Sequence, residues 1–128
     1  MANDIDDEIY PDNDDKIRCV PIIDSTNTTT GADQSTPLTG LTNLKAYLAA
    51  SESASSDAAA LDPSLVITLT EAGSTGIYYG SMPGSAKRSA SALAALADGT
   101  VIWRHWQAGT VYHEKKSVIW RKNGRPAA

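Results

Sequence analysis

His105 and His113 are the only two histidines in the 128 residues, and both lie in a stretch, TVIWRHWQAGTVYHE, that reads as two strands joined by a glycine-bearing turn. On a tight hairpin the two imidazoles come close enough to share a metal ion. Two ligands fall short of the three protein donors a catalytic zinc needs, and alternation along a strand sends the neighbouring Glu114 to the face opposite His113. A pair of structural histidines is the expectation. Cys19 is the one cysteine. A single thiol excludes an internal disulfide framework and a thiolate-rich zinc site, and no His, Asn or Asp can be assigned to activate it, so it reads as a small buried hydrophobe. The brackets Gly73 to Gly76 (GSTG) and Gly80 to Gly84 (GSMPG) lack the lysine and helix register of a phosphate loop. Asp12 to Asp15 (DNDD) lacks the glycine bend and closing carboxylate of a calcium loop. No catalytic, cofactor or metal residue is assigned, and no enzymatic reaction is expected.

Charge is the more informative signal. Asp4, Asp6, Asp7, Glu8, Asp12, Asp14 and Asp15 give residues 1 to 15 seven acids and no base. From Val101 to Ala128 the balance reverses, with Arg104, Lys115, Lys116, Arg121, Lys122 and Arg125 set against Glu114 alone. A block of like charge repels itself and serves as a solvated or interacting arm. The acidic arm of one copy could therefore oppose the basic end of another, an attraction that salt weakens. The candidate assembly contacts are Asp4, Asp6, Asp7, Glu8 and Tyr10 on one side and Arg104, Lys115, Lys116, Arg121 and Lys122 on the other. The basic segments also carry Trp103, Trp106 and Trp120, which resembles a single-strand platform, but a pI near 5.0 repels phosphate and nucleic acid is not an expected partner.

The elements that must carry these residues follow from pattern. Ile17 to Ile23 is rich in β-branched residues, and Pro21 restricts it to a peripheral strand. Asp24 to Pro37 is a polar linker. In Leu41 to Leu48, alternation places Leu44, Ala46 and Leu48 on one face and Lys45 and Tyr47 on the other, as in a strand packed on one side. Ala49 to Ala60 is an Ala/Ser tract that buries little and reads as an exposed loop or weak helical turn. Leu65 to Thr70 is the clearest strand, and with Ile77 to Gly80 it forms a hairpin. Ser85 to Ala97 reads as one helix, with Ser85 as N-cap and Gly99 as its stop. Three further strands, Thr100 to Trp106, Thr110 to Glu114 and Ser117 to Lys122, complete the chain.

The pattern predicts a mainly β chain: a small antiparallel β-sandwich with one short helix and an extended acidic N-terminal arm. Residues 1–37 form the arm and linker with a peripheral strand, and residues 38–128 the sandwich domain. Nineteen of the apolar residues are alanine and phenylalanine is absent, so the core is thin and neighbours are expected to supplement it. No apolar run is long enough to span a bilayer, and MANDIDDEIY is acidic where a secretory signal is basic and then apolar.

From Pro37 onward, PLTGLTNLKAYLA, SLVITLTEAGSTGIYYGSMPG and LAALADGTVIWRHWQAGTVYHEKKSVIWR together resemble small accessory virion proteins of tailed bacteriophages. The shared pattern is a Leu-Thr-Gly-Leu strand, a TLTE-turn-Tyr-Tyr-Gly hairpin, a short Ala-rich helix and a Gly-Thr-Val hairpin ending in a basic strand. The Ala/Ser tract, the three tryptophans and the acidic arm depart from it. The resemblance implies an immunoglobulin-like sandwich and a structural virion protein at the head-to-tail (neck or connector) region, made in the bacterial host cytoplasm. Its partners would be other copies of itself and portal, adaptor, tail or capsid proteins. It implies no cofactor and no catalytic residue. A capsid decoration (cement) protein is the alternative, and a glycan-binding tail module using the exposed aromatics is the rival from another class.

Overall fold

A computed structural model describes residues 8–11, 13–21, 38–54, 56–109 and 112–122. The chain is mainly β, with two sheets and two short helices around one core. The strands are β1 (Glu8–Ile9), β2 (Asp15–Cys19), β3 (Lys45–Ala49), β4 (Val66–Thr68), β5 (Thr70–Glu71), β6 (Tyr78–Met82), β7 (Val101–Ala108) and β8 (Tyr112–Trp120). The larger sheet runs β1-β8-β7-β3-β4 and the smaller β2-β6-β5. All pairings are antiparallel except β1 on β8, which is parallel with Glu8 opposite Ile119 and Ile9 opposite Trp120.

Alternation explains which side chains meet inside. Leu44, Ala46 and Leu48 are fully buried, as expected, and share one core with Ile102, Val118 and Trp120 of the long hairpin, Leu65 and Leu69 on either side of β4, and Tyr78 and Met82 of the second sheet. Ile9, Ile17 and Cys19 enter this same core, so the segment over residues 8–19 contributes to both sheets. The segment expected as one strand over Leu65 to Thr70 divides at Leu69. Its amide donates to the Leu44 carbonyl at 2.9 Å, which ends the pairing with β3, and Thr70 and Glu71 then pair with β6 in the second sheet. One apolar run thus links the two layers.

Four expectations are corrected. The helix over Ser85 to Ala97 is two helices, α1 (Gly84–Ser89) and α2 (Ser91–Ala94), separated by Ala90 in extended backbone (φ −76°, ψ 108°). Ser89 Oγ donates to the Ala86 carbonyl and competes with the helix ladder at that point, and the break lets buried Ala90 and Leu93 both reach the core. Ser85 is not the cap: Pro83 occupies that position, and the Gly84 amide is satisfied by Asp14 Oδ1 at 2.8 Å. The two strands expected over Thr110 to Glu114 and Ser117 to Lys122 are one, β8, because Lys115 and Lys116 continue the ladder opposite His105 and Arg104. Lastly, Tyr47 is buried although its face of the sheet was expected to meet solvent. The Ala/Ser tract folds over that face through a 3-10 turn at Asp57–Ala59, where Asp57 pairs with Lys45 at 2.9 Å.

No helix among the described residues is long and apolar enough to cross a membrane.

Candidate functional site

The acids and bases singled out by charge separate according to strand alternation and burial. Asp4, Asp6 and Asp7 lie outside the described residues. Glu8 does meet a base from the other end of the chain, but within one chain: its Oε2 accepts from Arg121 Nε at 2.9 Å and Nη2 at 2.6 Å, and Tyr10 donates to its Oε1 at 2.6 Å. These bonds hold the Glu8 carboxyl below its ordinary range and push the Arg121 guanidinium up. Lys115 projects from the outer face of the large sheet toward Glu52, 3.4 Å away, while Lys122 is exposed.

Arg104 does not lie on the surface; it is 6% exposed on the inner face. Alternation along β7 turns it inward with Ile102 and Trp106, where Asp15 Oδ2 accepts from its Nη2 at 3.4 Å and from Lys87 Nζ at 2.9 Å. The Lys87 side chain is fully buried, and its ammonium is held below the usual lysine range by loss of solvent, against the opposing pull of Asp15. Lys87 went unnoticed in the sequence, where SAKRS reads as an exposed helix turn. Its signal was indirect: Asp14 and Asp15, the end of the acidic block that leads into β2, need a counter-charge on whatever packs over them.

Beside this ion-paired cluster opens a cleft of about 220 Å³ between the edge of β2 and the inner face of the β7–β8 hairpin. Its walls are Arg18, Cys19, Val20, Arg104, Trp106, Glu114 and Lys116. Among the described residues the smaller sheet ends at β2, beside this part of the larger sheet's inner face. The Arg104 guanidinium lies 5.9 Å from the Trp106 ring centre, a cation–π distance, and the buried Trp106 Nε1 has no hydrogen-bond partner among the described residues. Glu114 accepts from the Tyr112 hydroxyl, and the Cys19 thiol lies 3.6 Å from that same oxygen. Burial pushes the thiol up to about 11, so it is a protonated, inert group, as its reading as a buried hydrophobe expects.

On the outer face the two histidines do meet. His105 Nδ1 and His113 Nε2 are 2.9 Å apart, and His105 Nε2 lies 3.0 Å from the Ser51 carbonyl. A carbonyl only accepts, so His105 carries its proton on Nε2 and its bare Nδ1 accepts from His113. His105 is fully buried and stacks on Tyr47 at 5.1 Å, and together they pin the Ala/Ser tract over the sheet. The same bonds satisfy the hollow of about 280 Å³ nearby: Tyr47 donates to Gln107 Oε1 at 2.7 Å and Lys45 pairs with Asp57. No group of three or more metal-ligating side chains occurs among the described residues. The tryptophans divide as well, Trp106 and Trp120 turning inward and Trp103 outward, so they do not share a face on which a sugar could stack.

A scan against protein families finds no match to this chain, and neither do searches of curated proteins and of solved structures.

Proposed function

We propose that this chain is a structural subunit of a tailed-phage virion, placed at the head-to-tail region and held there by its N-terminal segment. It works by being positioned against neighbours and turns over no substrate. We assign its two sheets to an immunoglobulin-like sandwich, a reading supported by their common core and by the passage of one apolar run from sheet to sheet at Leu69.

The observation that carries the proposal is the way residues 8–9 are bound. Two residues add to the edge of β8 by backbone pairing and are fastened by the Glu8–Arg121 ion pair, with Asp4, Asp6 and Asp7 just before them in sequence. Strand addition at an open edge, steered by opposite charge, is a general mode of subunit association. The acidic and basic ends of the sequence are consistent with a chain whose placement depends on other chains.

Imaging an intact particle tests this. Density for the chain at the neck, in tens of copies or fewer, is the expected result. Hundreds of copies spread over the capsid would favour a decoration protein, and absence from purified particles would overturn the proposal.

A further inference from the structure

His105 and His113 stand at diagonal positions on the outer face of the β7–β8 hairpin, His105 opposite Lys115 and His113 opposite Gln107. Their facing nitrogens are prepared differently. The Ser51 carbonyl accepts the Nε2 proton of His105 at 3.0 Å, which leaves His105 Nδ1 bare and aimed at His113 Nε2, 2.9 Å away. A ring nitrogen bared and aimed by a carbonyl bond on the other nitrogen is the usual outer support of a metal-binding histidine. His105 is also fully buried and stacked on Tyr47, so its Nδ1 is held in place before any ion arrives. His113 is exposed and free to turn. Two imidazole nitrogens bound at about 2.0–2.1 Å to one ion stand about 2.9 Å apart at a right angle, and about 3.3–3.4 Å apart at the tetrahedral angle. The separation in the chain matches the right-angled case.

We propose that this pair is a binding site for a late first-row divalent cation, copper(II) above all, held by His105 Nδ1 and His113 Nε2. The ion takes the place of the proton that the two rings share. The ring centroids lie 5.1 Å apart with the planes 38° apart, so the rings meet nearly end to end, and His113 must tip for both lone pairs to converge on one ion while His105 keeps its bond to Ser51. In that step His113 releases its Nε2 proton to water and takes one from water on Nδ1, and both rings stay neutral. No third His, Cys, Asp or Glu joins the pair among the described residues. Water therefore fills the remaining positions, which favours the metal that binds a given nitrogen set most tightly and accepts square geometry. Lys115 acts on His113 as a like charge, but Glu52 answers it at 3.4 Å. The bound ion ties β7 to β8 and, through His105 and Ser51, fixes the Ala/Ser tract over the sheet. This site is independent of the proposed assembly role.

The test titrates the untagged full chain with copper(II) in a buffer that does not ligate it, read by electron paramagnetic resonance and by melting temperature. The expected result is one equivalent bound with a micromolar midpoint, a signal from two equatorial imidazole nitrogens, and a melting temperature that rises with copper. His113→Asn, at an exposed position and with its metal-free melting checked, should weaken the midpoint by about tenfold or more and leave a one-imidazole signal. Zinc(II) should bind more weakly than copper(II), and because it is diamagnetic it gives a readout that needs no variant. In imidazole nitrogen NMR spectra at saturating zinc, the His113 proton should pass from Nε2 to Nδ1 while His105 keeps its Nε2 proton. Copper bound equally well by the His113→Asn chain, a parent signal carried by oxygen or by a single imidazole, or a His113 that keeps its Nε2 proton at saturating zinc would each overturn the site.

Discussion

Glu8 and Asp15 both belong to the acidic block and both bind an arginine from the basic end, yet they do different work. Glu8 meets Arg121 where both side chains are about a third exposed, 34% and 33%, and its bonds fasten a two-residue strand to a sheet edge. Asp15 is 17% exposed and answers two buried cations, Lys87 and Arg104, that have come from a helix and from the central strand of the other sheet. Water competes for the first pair and is excluded from the second. Burial therefore decides what a charge contributes, and one run of acids holds both a half-exposed pair at a sheet edge and a clamp within the core.

Removing the clamp gives the largest effect. Asp15→Ala leaves Lys87 and Arg104 buried beside each other with their shared partner gone, and should cost about 3–5 kcal/mol in urea unfolding. A loss below about 1 kcal/mol would mean that water reaches this cluster and that the contrast with Glu8 is false. Next comes Gly80→Ala, which probes whether β2 lies on a tightly packed layer. Gly80 is the cross-strand partner of Ile17, and an added Cβ would stand 2.4 Å from Leu69 Cδ2 at the point where the chain changes sheets. Leu69 must shift in a full core, at a cost of about 1–3 kcal/mol measured the same way.

The histidine pair lies between the two extremes. His113 is held below its ordinary value of 6.5 first by partial burial, then by His105 and Lys115. As pH falls from 6.5 toward that lower value, the unfolded chain binds the proton and the folded chain does not, so stability should decline across this window. His113→Asn should flatten the slope of melting temperature against pH there; an unchanged slope would remove His113 as its source. Glu8→Gln should give the smallest change. The Glu8 contribution is present above its ordinary value of 4.5 and is lost as pH falls through the lower folded-state value, so the variant should differ from the parent at pH 7 and low salt and converge with it in acid.

Much of the fold was legible because alternation is local. Leu44, Ala46 and Leu48 declare one face of a strand, and Leu65 to Thr70 declares a strand whatever surrounds it. The same local reading cannot see where a strand changes partners, so the division at Leu69 was hidden: both halves have identical β character and only the neighbouring sheets differ. Tyr47 was misjudged because its cover, the Ala/Ser tract, carries no hydrophobic signal and is held by Ser51, Asp57 and His105 through polar bonds. The basic cluster was legible as composition and not as a surface. Arg104, Lys115 and Lys116 are close in sequence or in register, but alternation turns Arg104 and Lys116 toward the cleft and Lys115 away from it, and their total charge carries none of that geometry.

The structure also sharpens where the N-terminal segment should be cut. Removing residues 1–15 would take Asp15 from Lys87 and Arg104 and Ile9 from the core, and would confound folding with assembly. Removing residues 1–7 spares every pairing described above. The direct measurement is therefore the amount of this chain in purified particles when it begins at Glu8, with its melting temperature measured in parallel. The account predicts an unchanged melting temperature and loss of the chain from particles; normal incorporation of a chain lacking Asp4, Asp6 and Asp7 would contradict it.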